Sequence, residues 1–315
     1  MPQHVIPARR TAMPGAIDNL RGLAWMLVAV LMACVMAVAV RSLSADLDSR
    51  AIVLVRAAII VAMIVVALPF SRALRRMRFS RPWLHVSRGA LIGIATQLGF
   101  YTLSHVPLAT ASVLFFTAPI FATILAATMM GERVGPRRWA AVAAGFVGAV
   151  VILRPGLQGF DTGMLAALGS SACYAIALTQ SRGIAQADGP AAALVSSNVM
   201  TLIVSLPAAW PVLSVPSSEG YWALLMVLVA AGVLRGLADI QAYRHGEAAV
   251  LAPVTYLRII LVGLAGYVFF DEVIDGPTLL GAAIIVASTL YIARRESVRR
   301  HRLRAATRAP AGPEG

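Results

Sequence analysis

Apolar residues in this chain run in about ten unbroken blocks of roughly 17–25 residues, separated by short polar stretches. The blocks lie near residues 20–40, 51–70, 86–106, 109–130, 137–154, 162–180, 190–213, 221–244, 248–270 and 277–293. A helix rises about 1.5 Å per residue, so blocks of this length can cross a bilayer core. They are continuous and do not alternate with period two, which argues against a barrel. The pattern predicts an all-α polytopic membrane protein with ten transmembrane helices. Ala37-Val38-Ala39 looks like a signal-peptidase site, but the apolar run around it is longer than a signal sequence and reads as an uncleaved span.

Composition sharpens this picture. Only 13% of the 315 residues are charged, and mean hydropathy is +0.79. A soluble chain carries about 25% charged residues. The net charge of +13 does not point to nucleic acid, because most of the basic residues, all arginine, sit in loops and tails between apolar blocks. Cys34 and Cys173 lie inside apolar blocks and read as small hydrophobes rather than a disulfide or metal pair. No Cys/His cluster has zinc spacing, and no cofactor is expected.

Loop arginines predict orientation. With the N-terminus inside, 21 arginines fall on the inner side, among them the group Arg72, Arg75, Arg76, Arg78, Arg81 and Arg88. Only Arg41, Arg50 and Arg154 fall outside. That bias and an even span count place both termini in the cytoplasm. The expected location is the inner (plasma) membrane, with the lipid bilayer and a small-molecule substrate as partners; a homodimer is compatible with this layout.

The two halves echo each other. Cys34 matches Cys173, Pro69 matches Pro207, His105 matches His245, Glu132 matches Glu272 and Pro136 matches Pro277. The offsets stay near 140 residues, which suggests a duplicated five-span unit. Five is odd, so the second copy enters the membrane inverted. The expected layout is a disordered 1–20, two inverted five-helix repeats at 21–154 and 155–293, and a basic tail at 294–315.

Two stretches carry a resemblance: PLATASVLFFTAPIFATILAATMMGERVGPRRWAAVAAGFVGAVVIL and AYRHGEAAVLAPVTYLRIILVGLAGYVFFDEVIDGPTLLGAAIIVASTLYI. With the ten-span layout, they resemble the EamA-type members of the drug/metabolite transporter superfamily. The resemblance implies a carrier that moves small metabolites, often amino acids or their derivatives, across the inner membrane. Pro253, Tyr256 and Arg258 also match an APxxYxR pattern that resembles S-adenosylmethionine uptake carriers.

Three arginines fall within spans. Arg56 lies near the outer end of the second, with Asp46 and Asp48 close in sequence, so it is read as snorkelling or functional with equal weight. Arg235 and Asp239 are four apart and share a helix face, a candidate coupling or gating pair. Asp239 is the acid best placed for proton coupling. Arg258 lies near the middle of the ninth span and meets either Asp239 across helices or an anionic group of the substrate. Candidate substrate-binding residues are Arg258, Tyr256, Thr255, Tyr174, Asn198, Gln97 and Tyr101. Thr255 shares a face with Arg258, while Tyr256 points nearly opposite unless Pro253 unwinds the turn. Glu132 and Glu272 are expected to steady the loops before the fifth span of each unit. Gly89, Gly93, Gly232 and Gly236 are read as close helix contacts.

Two other function classes fit less well. An intramembrane enzyme finds no support, because the chain holds no HExxH, GxSxG or Walker loop. A non-transporting partner subunit would have little use for a duplicated plan.

Overall fold

In the computed structural model, residues 18–129, 134–154, 161–213 and 219–308 are described. Of the expected disordered start at 1–20, residues 1–17 lie outside them, as does Glu132, while Asn19 and Leu20 already belong to a helix that Asp18 caps. Among the described residues, every regular element is helical. The helices are α1 (Asn19–Leu43), α2 (Ser49–Ala67), the short α3 (Arg72–Arg75), α4 (Pro82–His105), α5 (Leu108–Phe115), α6 (Ala118–Thr128) and α7 (Pro136–Leu153). They continue with α8 (Thr162–Ala187), α9 (Gly189–Ala209), α10 (Glu219–His245), α11 (Ala248–Thr255), α12 (Leu257–Phe270) and α13 (Gly276–Arg308).

Nine spans among the described residues are long and apolar enough to cross a membrane, counting α5 with α6 and α11 with α12 as one span each. The 24-residue α4 is not in that set. It carries His85, Ser87 and Arg88 in its first two turns. It nevertheless runs from one face of the bundle to the other. His85 meets Asp188 at one end, and Tyr101 meets Thr162 at the other. Large apolar side chains such as Val66, Ile260 and Val268 point outward, the surface a hydrocarbon solvent demands.

Two predicted spans are not single helices. The fourth breaks at Phe116 and Thr117, the ninth at Tyr256. Pro119 lacks an N–H to donate to the Phe115 carbonyl four residues earlier, and its ring crowds that carbonyl, so the helix stops at Phe115 and Pro119 sits in the first turn of α6. Pro253 lies inside α11, and the chain leaves helix three residues later. The broken pieces match: α5 and α11 are each eight residues long and start 140 residues apart. The last helix is longer than expected, since α13 continues through the basic segment to Arg308.

Helix pairing links the halves. α1 packs on α10, and α4 on α8; α12 packs on α1, and α6 on α8; α7 meets α13, and α2 meets α9. Small residues set the closest approaches. A Cβ on Gly281 would lie 2.6 Å from the carbonyl oxygen of Gly148, and one on Gly89 would lie 2.7 Å from Met200. Gly232 and Gly236 depart from the expectation. No helix backbone is close to either: Gly236 faces open space, and Gly232 faces the Arg56 guanidinium.

Each face is tied by charged groups. On the face bearing the start of α1, the N–H of Asp18 donates to the carbonyl of His245, and the N–H of Glu247 donates to Asn19 Oδ1. Nearby, the buried His85 ring touches Asp188 at 2.9 Å and Ser196 Oγ at 3.0 Å. Asp188 also accepts from the Ser80 hydroxyl and N–H. These bonds, Ser80 first and His85 next, hold the Asp188 carboxyl down at about 2. Its pKa is below the unfolded value of about 3.9, so its stabilisation is present above that value and lost as pH falls through the folded one. Thermal stability should therefore show no loss from this group between pH 7 and about 4, then decline toward pH 2. Asp188→Asn should abolish that acid-dependent portion; an unchanged acid profile would remove Asp188 from the tie.

Candidate functional site

A cavity of about 340 Å³ lies between α1, α2, α4, α5, α8, α10 and α12. Its size falls at the lower end of small-ligand sites. The wall carries four aromatic rings, Phe100, Phe115, Phe116 and Tyr174, and three arginines, Arg56, Arg235 and Arg258. The helix breaks shape it. Phe115 and Phe116 stand at the end of α5, Ala118 opens α6 on the cavity wall, and Arg258 is the second residue of α12.

The arginines are held by rings more than by acids. The Arg258 guanidinium lies 5.4 Å from the Phe116 ring centre and 5.9 Å from that of Phe115. Arg56 lies 5.8 Å from the Phe100 ring centre. Contacts of this kind contribute about 0.5–2 kcal/mol. Arg235 Nε sits 3.8 Å from Asp239 on its own helix, a long ion pair. Among the described residues, Arg258 has no carboxylate within 4 Å, so the Arg258–Asp239 pairing is not made. Arg56 does not snorkel toward Asp46 and Asp48. Asp48 is engaged by Arg50, and Arg56 turns inward against Gly232.

Of the residues singled out in the sequence, Arg56, Tyr174, Arg235 and Arg258 line the cavity, and Asp239 stands beside Arg235. The others do not line it. The Tyr256 hydroxyl donates to Thr289 on α13, and its ring stacks on Phe116 at 4.8 Å, so it backs the wall from behind. Thr255 donates to the carbonyl of Ala252 within its own helix. The Asn198 amide donates to the Leu194 carbonyl on α9. Gln97 is one turn past Gly93, whose face packs on Thr201, so it points toward α9. Tyr101 belongs to a separate polar depression with Asp46, Asp48, Arg50, Ser104 and His105. The sequence reading passed over Phe100, Phe115 and Phe116, because aromatic residues in an apolar span look the same whether they face lipid or cavity.

The face carrying the α1–α2 turn closes over this region through Glu272. Its Oε2 accepts from the N–H of Leu108, the first residue of α5, at 2.6 Å. Its Oε1 pairs with Arg41 at 3.1 Å, and Arg41 also donates to the Ser104 carbonyl. A carboxylate at a helix N-terminus is favoured by the unpaired N–H groups and the dipole there. Gly266 makes room, since a Cβ on it would lie 2.7 Å from Glu272 Oε2. Asp275 pairs with Arg154 on the same face. Burial would raise the Asp275 carboxyl, but the bonds from Thr278 and Arg154 outweigh it and hold it low. Glu272→Ala, which removes both the cap and the pair, should cost about 2–3 kcal/mol, read from melting in detergent. Glu272→Gln keeps an acceptor for Leu108 and should cost less. Equal stability of all three proteins would rule out this tie.

Comparison with known proteins fits this arrangement. The model of the EamA-like transporter family matches the chain twice, over residues 20–154 and 161–294. A riboflavin transporter of Vibrio cholerae is 33% identical over 294 residues, covering 90% of this chain and 97% of that protein. An S-adenosylmethionine uptake transporter of Rickettsia conorii is 33% identical over 216 residues, covering 69% and 73%. A solved crystal structure superposes with a TM-score of 0.58 at 21% identity, covering 88% of this chain and 99% of the other; it supports the fold alone. With the family model matching both halves and the helices built to cross a bilayer, the chain belongs to the EamA-like transporter family and is a multi-pass membrane carrier of small metabolites.

Proposed function

We propose that this carrier works by alternating access, with the substrate held in the central cavity and carrying a planar ring. One observation carries the reading: a cavity between the halves, walled by Phe100, Phe115, Phe116 and Tyr174. Flat side chains favour flat ligands, because offset stacking adds about 0.5–1.5 kcal/mol beyond burial. Tyr256 braces Phe116 from behind, which keeps that wall rigid. The relatives named for riboflavin and S-adenosylmethionine both act on ring-bearing metabolites, in keeping with this class.

The alternation rests on ten spans in two inverted units. The helix pairing supports it, since α1 on α10 and α4 on α8 exchange when the halves are exchanged. So do α12 on α1 and α6 on α8. Equal breaks 140 residues apart in the fourth and ninth spans point the same way. The arginine bias puts both termini in the cytoplasm and the carrier in the inner membrane.

Two experiments test the proposal. Proteoliposomes should take up at least one ring-bearing solute from riboflavin, flavin mononucleotide, adenosine, adenosine 5′-monophosphate and S-adenosylmethionine. Uptake should saturate, and Phe116→Ala or Tyr174→Ala should each lower it about tenfold, equivalent to about 1.4 kcal/mol. Transport of ring-free amino acids alone would overturn the ring class. For topology, a reporter fused at Gly315 should read as cytoplasmic; a periplasmic signal would refute the orientation.

A further inference from the structure

The cavity holds more positive charge than its surroundings neutralise. Arg56 comes from α2, Arg235 from α10 and Arg258 from α12, and all three line one space. Arg235 lies close enough to each of the others to repel both. Among the described residues, Asp239 is the one carboxylate beside them, and it sits 3.8 Å from Arg235. Three guanidiniums and one carboxylate leave a surplus of two positive charges. A charge at membrane depth costs about 2.5–3.5 kcal/mol or more.

Structural arginines in this protein look different. Arg88 donates to Ser181, to Ser197 and to the carbonyl of Ala193. Arg41 has Glu272 and the Ser104 carbonyl. Arg56 and Arg258 have no such oxygen partners among the described residues, and Arg56 Nε is buried without an acceptor. Nearby acids are engaged elsewhere: Glu272 by Arg41 and Leu108, Asp48 by Arg50, Asp275 by Arg154. Three hydroxyls of the wall are also occupied. Ser170 donates to the Ala95 carbonyl, Ser171 to that of Leu114 and Thr96 to that of Ile92. The guanidiniums remain as the charged donors of the site, beside the hydroxyls of Ser112 and Tyr174.

The bundle is shaped around this arrangement. A Cβ at residue 232 would lie 2.9 Å from Arg56 Nη2, so glycine there lets the guanidinium rest against α10. The N-termini of α6 and α12, whose dipoles are positive, open on the same cavity through Ala118 and Arg258. The ring centres of Phe100, Phe115 and Phe116 lie 5.4–5.9 Å from the Arg56 or Arg258 guanidinium carbon and, offering no acceptor oxygen, these rings leave the N–H edges for a ligand. Those edges match carboxylate and phosphate oxygens in pairs.

We infer that the cavity binds an organic anion, with Arg56, Arg235 and Arg258 selecting ring compounds whose carboxylate or phosphate gives them a net negative charge over compounds that are neutral or net positive. This rests on the central-cavity reading above and adds the sign of the charge. It makes Arg56 a specificity-determining residue and Gly232 the position that seats it. It also separates this chain from relatives named for S-adenosylmethionine, whose sulfonium is cationic.

The test is binding to the purified full chain in detergent, read by thermal shift and equilibrium titration. The probes are three charge series on fixed rings: adenosine, adenosine 5′-monophosphate and S-adenosylmethionine; riboflavin and flavin mononucleotide; nicotinamide and nicotinate. An anionic member of at least one series should bind at least tenfold more tightly than its neutral or cationic counterparts. Arg56→Gln and Arg258→Gln should each weaken it tenfold or more. Arg56→Lys should recover only part, because an ammonium lacks the fork. Gly232→Ala should weaken it by displacing Arg56, and ligand-free melting checks that each variant folds. Several results would overturn the inference: no anionic member binding, a neutral or cationic member binding equally well, or anion binding indifferent to the arginine variants. Equal stabilisation by sulfate would reduce the site to an inorganic-anion site and overturn the ring-bearing class. The two readings fail differently. Neutral or cationic binding that Tyr174→Ala abolishes keeps the cavity and removes the charge rule. Anion binding that survives Tyr174→Ala, Phe116→Ala and both arginine variants removes the cavity itself.

Discussion

Inside a bilayer no water is at hand to satisfy backbone N–H and C=O groups, so a spanning segment is helical or its loose groups face protein or a cavity. This chain departs from unbroken helix at two matched places, Phe116–Thr117 and Tyr256. Both departures border the same space. The break after α5 brings Phe115 and Phe116 to the wall and aims the start of α6 at it. The break after α11 puts Arg258 in the first turn of α12. In the fourth span proline makes the interruption cheap, because Pro119 has no N–H and so no ladder bond to lose. The cavity is thus a product of backbone chemistry as much as of side-chain packing.

Charge is then used in two ways according to depth. At the faces, several acids meet specific donors. Asp18, Asp48, Asp161 and Asp275 accept from N–H groups in the first turns of α1, α2, α8 and α13, and Glu272 caps α5 from across the molecule. These contacts tie helix ends where water and headgroups lower the cost of charge. At mid-depth the balance differs, with guanidiniums beside aromatic rings and, among the described residues, a single carboxylate near them. The His85–Asp188 contact belongs to the first group: buried, bonded on both ring nitrogens and away from the cavity wall.

The close helix contacts and the cavity depend on each other. Gly89 and Gly148 let α4 approach α9 and α7 approach α13, which draws the rim together. Gly232 serves the opposite purpose by leaving a hollow on α10 that the Arg56 guanidinium occupies. The same residue type, in the same small-xxx-small spacing, closes one interface and opens another.

The apolar spans and the matched pairs near offset 140 were readable in the residues, because the bilayer imposes length and apolarity on each segment separately; of the ten spans expected, nine among the described residues are long and apolar enough to cross, and α4 is not in that set. The Arg235–Asp239 pair was readable too, since its spacing of four places both on one helix face. Arg56 was not. Its place near the outer end of its span, with Asp46 and Asp48 close in sequence, left snorkelling and function equally weighted, while its actual neighbours, Gly232 and Phe100, belong to other helices. Tyr256 and Tyr101 drew attention as polar aromatics, yet one hydroxyl is engaged by Thr289 and the other by Thr162. Periodicity tells which residues share a helix face. Which face meets lipid, which meets a neighbour and which meets the cavity is decided only when the helices pack, because that choice depends on contacts between segments far apart in the chain.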